Sequence, residues 1–379
     1  MKTKNFTPAD PERLRGTFEP SFRPEPAWYP LLAARVLQPN IWQRLLRKVL
    51  HRQVDSKLVS IVFYDRPIVV WRDQNGAVRA AFDRCPHRSM PVSLGERTPE
   101  GGLRCPYHGW EFTAAGDVAR IPCLVGESSA NISLTMIPAI EQSDMIWLNF
   151  GSTLSRPPAY SGAHPESQRI IRQVVAQGDL LSTAENALDI PHTAVVHRGL
   201  FRSGKKHPIE AISRRTQRAI EIEYVGEPAP RGILALLLGA RRSPLRVEHW
   251  DRFLLPTTIE VEYRLGPRLQ ILVRAFALPI DPRKTRLLTE ISIHSPFPFA
   301  LLRLVLEPIA RLIFAQDNRI LSRQAQNRSS FGPQPEYSTK IDLMGSELRR
   351  LLKRGLRADQ DSALNKTEEA QEQRTKMEI

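Results

Sequence analysis

Cysteine is scarce in this chain. Three in 379 residues are too few for a disulfide framework, which excludes a cysteine-stapled secreted scaffold. Long hydrophobic runs are missing as well: nothing approaches the roughly 18 consecutive apolar residues of a membrane-spanning helix. The N-terminus, MKTKNFTPADPERL, has no apolar segment of the kind a secretory signal needs, and it predicts a mature, cytoplasmic chain. Acidic residues are in deficit, 40 against 54 basic ones, for a net charge of +14. A surplus of that size bears on partners and solubility rather than on fold. The basic clusters at Lys205-Lys206, Arg214-Arg215, Arg241-Arg242 and Arg349 to Arg357 are scattered, and neither an aromatic-interleaved RNA motif nor zinc-finger spacing accompanies them. Nucleic acid is therefore not the expected partner. An acidic electron-transfer protein, an anionic membrane face, or water alone remain as uses of the charge.

What is present is ordinary globular material, 41% hydrophobic and 25% charged, in a length that suggests two or three domains. Residues 1–55 are proline-rich and then helical in pattern, with Trp28-Tyr29-Pro30 as an anchor to the next region. Residues 56–151 turn to short apolar runs, Leu58 to Phe63, Ile68 to Trp71, Val78 to Phe82 and Met145 to Phe150, with Asn75-Gly76 as a hairpin turn. That pattern predicts a small all-β domain. A polar, proline-containing connection covers 152–178 at the start of a second region reaching 358. Strands are expected there at Ile220 to Tyr224, Thr257 to Tyr263, Leu269 to Ala277 and Leu287 to Ile293, with helices at 183–198, 298–325 and 345–355. Arg303, Glu307 and Arg311 recur every four residues, so Pro296 to Ala315 reads as an amphipathic helix bent at Pro308. It serves core packing first and membrane-surface contact second. The polar tail 359–379 is expected to be disordered.

Two segments of the β region carry metal-ligand residues, Cys85-Pro86-His87-Arg88 and Cys105-Pro106-Tyr107-His108-Gly109-Trp110. Each supplies one Cys and one His, so two loops can clamp an object between them. Two thiolates and two imidazoles suit a tetrahedral zinc ion. They equally suit a two-iron, two-sulfur cluster with the cysteines on one iron and the histidines on the other. Cys123 is expected to be a buried small hydrophobe.

The second region has a stretch reading Glu185-Asn-Ala-Leu-Asp-Ile-Pro-His-Thr-Ala-Val-Val-His197. A non-haem iron(II) that activates dioxygen takes two imidazoles and one carboxylate on one face. His192 and His197 offer the imidazoles. On a regular helix residues five apart diverge by about 140°, so a break or helix end is expected near Pro191. Asp189, three residues before His192, can share its face and bond the ring nitrogen that the metal does not use. The carboxylate must come from far along the chain, with Glu290, Glu307 and Asp317 as candidates. Glu290 sits in strand-like alternation, Glu307 lies between two arginines, and Asp317 falls late in a helix whose neighbours can pack on 185–198.

The string CPHR…CPYHGW resembles the cluster signature of Rieske proteins, in the branch of the ring-hydroxylating, Rieske-type non-haem iron oxygenases. Met90 and Tyr107 stand where respiratory-chain Rieske proteins carry an extra cysteine pair. N-x-x-D-x-x-H-x4-H from Asn186 to His197 resembles the mononuclear-iron motif of the same family, and Asp317…Gln324 resembles its aspartate helix. The resemblance implies an α+β chain: a small all-β Rieske domain (56–151), then an antiparallel-sheet-plus-helices catalytic domain of the helix-grip, START-like kind (152–358). It implies a [2Fe-2S] cluster on Cys85, His87, Cys105 and His108. It implies one mononuclear Fe(II) on His192, His197 and Asp317, with Asn186 lining the iron site. Electrons from a separate reductase or ferredoxin would pass by His87 or His108 to Asp189 and His192, across the subunits of a homotrimer. Dioxygen and a bulky apolar, aromatic or polycyclic molecule would be the substrates, for hydroxylation, dihydroxylation, demethylation or desaturation. Ile233 to Leu238 and the apolar face of 297–314 are candidate pocket walls, or simply core. Two other classes stay open: a Rieske electron carrier without catalysis, and a zinc-stapled basic binding protein.

Overall fold

The structure, a computed structural model, describes residues 24–38, 57–126, 131–151, 156–197, 207–228, 247–266, 269–332, 337–355 and 371–378. Most of the 1–55 segment, Lys205-Lys206, the Ile233 to Leu238 run and Arg241-Arg242 lie outside the described residues. The chain divides into two units, Met1–Pro158 and Ala159–Ile379.

The first unit contains strands β1 (Trp28–Ala33), β2 (Val59–Phe63), β3 (Arg66–Arg72), β4 (Val78–Phe82), β5 (Glu96–Arg97), β6 (Leu103–Arg104), β7 (Glu111–Phe112), β8 (Val118–Arg120), β9 (Met136–Ile137), β10 (Ala139–Gln142) and β11 (Met145–Asn149). They form three small antiparallel sheets, ordered β1-β11-β10, β2-β3-β4-β9 and β5-β6-β7-β8. The Asn75-Gly76 turn closes β3 onto β4 with Gly76 at φ 79°, a conformation that costs glycine no steric strain. Asp73 ties that turn by accepting from the main-chain N–H groups of Asn75 (2.9 Å) and Ala77 (3.0 Å). The Trp28-Tyr29-Pro30 anchor is a strand: β1 pairs along β11, and Tyr29 packs on Phe63 at 5.0 Å between ring centres. Trp71 is fully buried and donates its indole N–H to the Gly101 carbonyl at 3.0 Å. Gly102 has no room for a side chain, since a Cβ there would stand 1.8 Å from the Phe112 carbonyl oxygen.

The second unit is one antiparallel sheet with helices against it. Its strands are β12 (Gln168–Ala176), β13 (Pro208–Arg215), β14 (Ala219–Val225), β15 (Val247–Leu254), β16 (Thr258–Leu265), β17 (Leu269–Asp281), β18 (Lys284–His294) and β19 (Gln371–Glu378). The order is β12-β18-β17-β16-β15-β14-β13-β19. The helices are α1 (Leu180–Leu188), α2 (Ile190–Val196), α3 (Phe299–Phe331) and α4 (Gly345–Gly355). Ile220, Ile222, Phe253 and Ile259 from the sheet pack with Ala184 and Leu188 of α1 and Leu348 and Leu351 of α4. Successive strand residues point to opposite faces. Arg252, between Glu221 (2.6 Å) and Glu262 (2.8 Å), belongs to a ladder of ion pairs that alternates with the apolar positions of β15.

Three sequence expectations are corrected. The stretch 152–178 is not only connection, because β12 occupies 168–176 and pairs with β18 over nine residues. Its apolar residues come in pairs, Ile170-Ile171 and Val174-Val175, as an edge strand allows. The tail is not wholly disordered. β19 pairs with β13, whose backbone would otherwise be a bare sheet edge, and Met377 anchors it in the core at 6% exposure. Cys123 is exposed rather than buried, at φ 64° in a tight loop.

β15 was invisible as a strand because two of its inward positions are ionisable. His249 is buried, its ring nitrogens 2.8 Å from Glu227 and 3.0 Å from Asp251, and it stacks on Tyr263 at 3.9 Å. Burial opposes charge on His249, but Asp251 and Glu227 outweigh it and push its pKa up to about 9. Burial pushes Asp251 up as well. A histidine raised in the folded state contributes stability that is complete below its ordinary value of about 6.5 and lost as pH climbs through the raised one. The Asp251 shift has the same sign. Thermal unfolding of the second unit is expected to fall by on the order of 5 °C between pH 6.5 and 9. His249→Gln flattens that slope, and a wild-type unfolding temperature constant across the interval contradicts the reading.

Candidate metal centres

Two loops of the first unit fold alike. Cys85 N–H donates to the Met90 carbonyl and Cys105 N–H to the Trp110 carbonyl, both at 2.8 Å. Ser89 N–H then returns to the Cys85 carbonyl (2.9 Å) and Gly109 N–H to the Cys105 carbonyl (3.1 Å). The returning residue is left-handed each time, Ser89 at φ 58° and Gly109 at φ 68°. Gly109 has the further reason that a Cβ would meet Pro122 at 3.1 Å.

These matched loops bring all four donors together. Cys85 and Cys105 are free thiols, each 2% exposed. The rings of His87 and His108 stand 4.5 Å apart at 63°. Trp110 stacks flat on His87 at 4.8 Å, and Tyr107 lies over His108 at 3.8 Å. Burial pushes the Cys85 thiol up, with Cys105 beside it, while the N–H groups of His87 and Arg88 work the other way. His87 is held below its usual value by burial and by His108 and Arg88, which favours the neutral imidazole that ligation requires. Its Nδ1 is buried with no hydrogen-bond partner. An orphaned nitrogen beside two buried thiols and a second imidazole fits the mixed Cys₂His₂ set of a [2Fe-2S] cluster.

In the second unit, the expected helix break falls at Asp189. That residue ends α1 and begins α2 in extended geometry (φ −95°, ψ 102°), and its carboxylate caps α2 by accepting from His192 N–H at 3.2 Å. Pro191 sits in the first turn of α2, where it sacrifices no bond. His197 lies just past the other end of α2, as its C-cap. Leaving the helix there removes the 140° divergence, and the two rings meet edge-on, 5.2 Å apart at 75°.

His192 Nδ1 bonds the main-chain carbonyl of Asp189, with the Asp189 carboxylate 3.6 Å away. The main-chain carbonyl thus joins the expected carboxylate, which stays within ion-pair reach of the same nitrogen. A carbonyl only accepts, so Nδ1 carries the proton and Nε2 keeps its lone pair. His197 Nδ1 lies 2.8 Å from Gln316 Oε1, which fixes its tautomer likewise. Both Nε2 atoms turn toward Asp317 Oδ1, at 3.4 Å from His192 and 3.0 Å from His197. Neighbouring ligands about 2.1 Å from one metal stand about 3.0 Å apart. His192 Nε2 and Asp317 Oδ1 are buried without hydrogen-bond partners, so this donor set fits a facial two-histidine, one-carboxylate iron. Burial opposes charge on His192, but Asp189 and Asp317 lift its pKa to about 9. A metal bound through Nε2 would compete with a proton there.

The other candidate carboxylates are occupied. Glu307 accepts from Arg303, Arg311 and Arg172, which hold its pKa down at about 2. Glu290 faces Arg274 at 3.4 Å and Arg169 at 3.6 Å. Asn186 is half-buried on α1, three residues before Asp189. A further cluster, His164, Glu166 and His294, stacks its two rings at 3.6 Å and 20°, so their in-plane lone pairs do not converge on one ion. A cavity of about 680 Å³ beside Asp179, Leu321, Arg328 and Phe331 includes none of the metal donors. Gln316 escaped the sequence reading, because nothing in its spacing marks a residue adjacent to a ligand as the partner of a histidine 119 positions away.

Both regions match known protein families. Residues 46–137 match the Rieske [2Fe-2S] domain family, and residues 177–358 match the vanillate O-demethylase oxygenase C-terminal domain family. The chain is 29% identical over 159 residues to chlorophyllide a oxygenase of Oryza sativa subsp. japonica, covering 41% of this chain and 28% of that protein. It is 30% identical over 154 residues to the oxygenase component of dicamba O-demethylase from Stenotrophomonas maltophilia, covering 39% and 45% respectively. The matched stretches thus span less than half of these relatives' own length. Dicamba monooxygenase bound to dicamba superposes with a TM-score of 0.70 at 18% identity, over 88% of this chain and 98% of that one, a likeness of fold.

Removing one donor should separate the two centres. His197→Ala is expected to fall from about three irons per chain to about two, with the cluster's absorption and acid-labile sulfide unchanged. Iron and sulfide analysis reads this, and a variant that keeps the third iron contradicts the assignment.

Proposed function

Because this chain belongs to the Rieske-type non-haem iron oxygenases, we propose that it is an oxygenase component that hydroxylates or demethylates an aromatic or polycyclic apolar molecule with electrons from a separate reductase or ferredoxin. The observation that carries the reading is the convergence of His192 Nε2, His197 Nε2 and Asp317 Oδ1, two of the three atoms being buried and otherwise unsatisfied. The overall change is R–H + O₂ + 2e⁻ + 2H⁺ → R–OH + H₂O. On a methyl ether, the hydroxylated methyl then leaves as formaldehyde.

Iron at the three donors supplies reductive activation of dioxygen when bound, and the cluster supplies electrons one at a time. The residues around them hold, orient and shield. The main-chain carbonyl of Asp189 and the Gln316 amide keep a proton on each Nδ1, which leaves the ligating nitrogens bare. Asp189 is also the residue best suited to pass charge to His192: it touches that ring by its carbonyl, and its carboxylate is 31% exposed toward whatever docks there. His108 and Tyr107 are exposed, as are Arg84 and Arg88 in the other cluster loop, so this part of the first unit suits an acidic electron donor. A homotrimer in which one chain's cluster serves its neighbour's iron is part of the same proposal.

The names of the relatives favour aryl ethers and large ring systems as substrates to try first. No helix among the described residues is long and apolar enough to cross a membrane. The test is reduction of the iron-loaded protein followed by oxygen, with a panel of aryl methyl ethers, aromatic acids and polycyclic compounds. Coupled product, with formaldehyde from the ethers, is the expected outcome; oxygen consumption uncoupled from product across the panel contradicts it. Asp189→Asn keeps the helix cap, since asparagine caps as well as aspartate. It should retain about three irons and a reducible cluster but lose turnover by about 100-fold. A variant turning over at the wild-type rate removes Asp189 from the path.

A further inference from the structure

Three consecutive residues of α3 do three different jobs. Gln316 Oε1 accepts a hydrogen bond from Nδ1–H of His197 at 2.8 Å. Asp317 Oδ1 faces Nε2 of the same ring at 3.0 Å. Asn318 Oδ1 accepts from Gln177 N–H at 2.7 Å, which seats the helix against the segment leading into α1. One turn of helix therefore grips His197 at both nitrogens. His197 is 2% exposed, so no bulk water can take the place of the amide.

We propose that Gln316 is a positioning residue of the mononuclear site, one that locks the tautomer of His197 and sets how strongly its Nε2 binds a metal. The two histidines differ in a telling way. His192 is held by a main-chain carbonyl, a partner that no substitution of a side chain removes. His197 stands at a helix end, and its Nδ1 is held by a side chain, that of Gln316. A neutral amide holds the Nδ1 proton without adding charge beside Asp317. A carboxylate in its place would pull harder on that proton and make Nε2 the stronger donor. An aliphatic side chain would leave Nδ1–H buried and unpaired, free to exchange tautomers and withdraw the lone pair from the metal.

The inference rests on the oxygenase reading of the site, and its test uses metal affinity rather than turnover. Cluster-loaded protein stripped of its mononuclear iron is titrated with Co(II), followed by visible absorption, with thermal unfolding in parallel. Gln316→Leu is expected to weaken Co(II) binding by roughly 10–100-fold with the cluster spectrum unchanged. Gln316→Glu should bind at least as tightly as wild type. Asn318→Ala, which loosens the helix seat and spares the amide, should lower the unfolding temperature and leave the affinity alone. Wild-type affinity in Gln316→Leu overturns the inference. So does equal weakening in Gln316→Glu, or in Asn318→Ala, since helix seating alone would then explain the effect. Should Gln316→Leu not fold, Gln316→Glu and Asn318→Ala still decide between the two. Wild-type protein that takes up no Co(II) at these donors defeats the oxygenase reading and this inference together, whereas binding indifferent to Gln316 defeats the inference alone.

Discussion

The mononuclear site depends on a regularity of imidazole chemistry: a metal-binding histidine almost always donates its other ring N–H to a fixed partner, which sets its tautomer and aims its lone pair. In the second unit it is met twice by different means, a main-chain carbonyl for His192 and a side-chain amide for His197. Each arrangement is made possible by a helix end. Asp189 interrupts α1 and starts α2, freeing a carbonyl that an uninterrupted helix would have used internally. His197 falls just beyond the last turn, where its ring can swing across to α3. The bond from Gln177 N–H to Asn318 Oδ1 ties the long helix to the segment leading into α1 and so holds Asp317 opposite these two helix ends.

The first unit solves a related problem with loops. Two short segments of unequal ligand spacing, C-x-H and C-x-x-H, adopt one backbone plan because each returns its chain through a left-handed residue, Ser89 in one and Gly109 in the other. The equivalence of the loops explains how two cysteines come to be buried side by side while two histidine rings face each other near the surface. Trp110 and Tyr107, which read in sequence only as neighbours of ligands, are the plates against which those rings lie.

Much of this was legible in the sequence, for physical reasons. The clusters of metal donors stood out because Cys and His are rare here and their spacing was tight. Strands β2 to β4 showed as short apolar runs around a turn signal and β16 to β18 as strand-like segments, and Arg303, Glu307 and Arg311 marked one face of α3. What stayed hidden was whatever broke the expected alternation. β15 turns His249 and Asp251 inward, β12 is an edge strand that need not alternate, and β19 is a charged segment recruited by an open edge. The choice of Asp317 over Glu307 could be leaned toward from the arginines beside Glu307, but those that occupy Glu290 stand on the two strands flanking β18, Arg274 on β17 and Arg169 on β12. Gln316 and the carbonyl of Asp189 were beyond reach, since partners made by tertiary approach leave no periodic trace.

The central claim is that this polypeptide places two separate iron centres in two prepared donor sets. Anomalous diffraction at the iron absorption edge from crystals of the iron-loaded protein tests it most directly. The account predicts two adjacent peaks between the side chains of Cys85, His87, Cys105 and His108, and a third, isolated peak within bonding distance of His192 Nε2, His197 Nε2 and Asp317. A single peak at the four-residue site, or none among 192, 197 and 317, would contradict it.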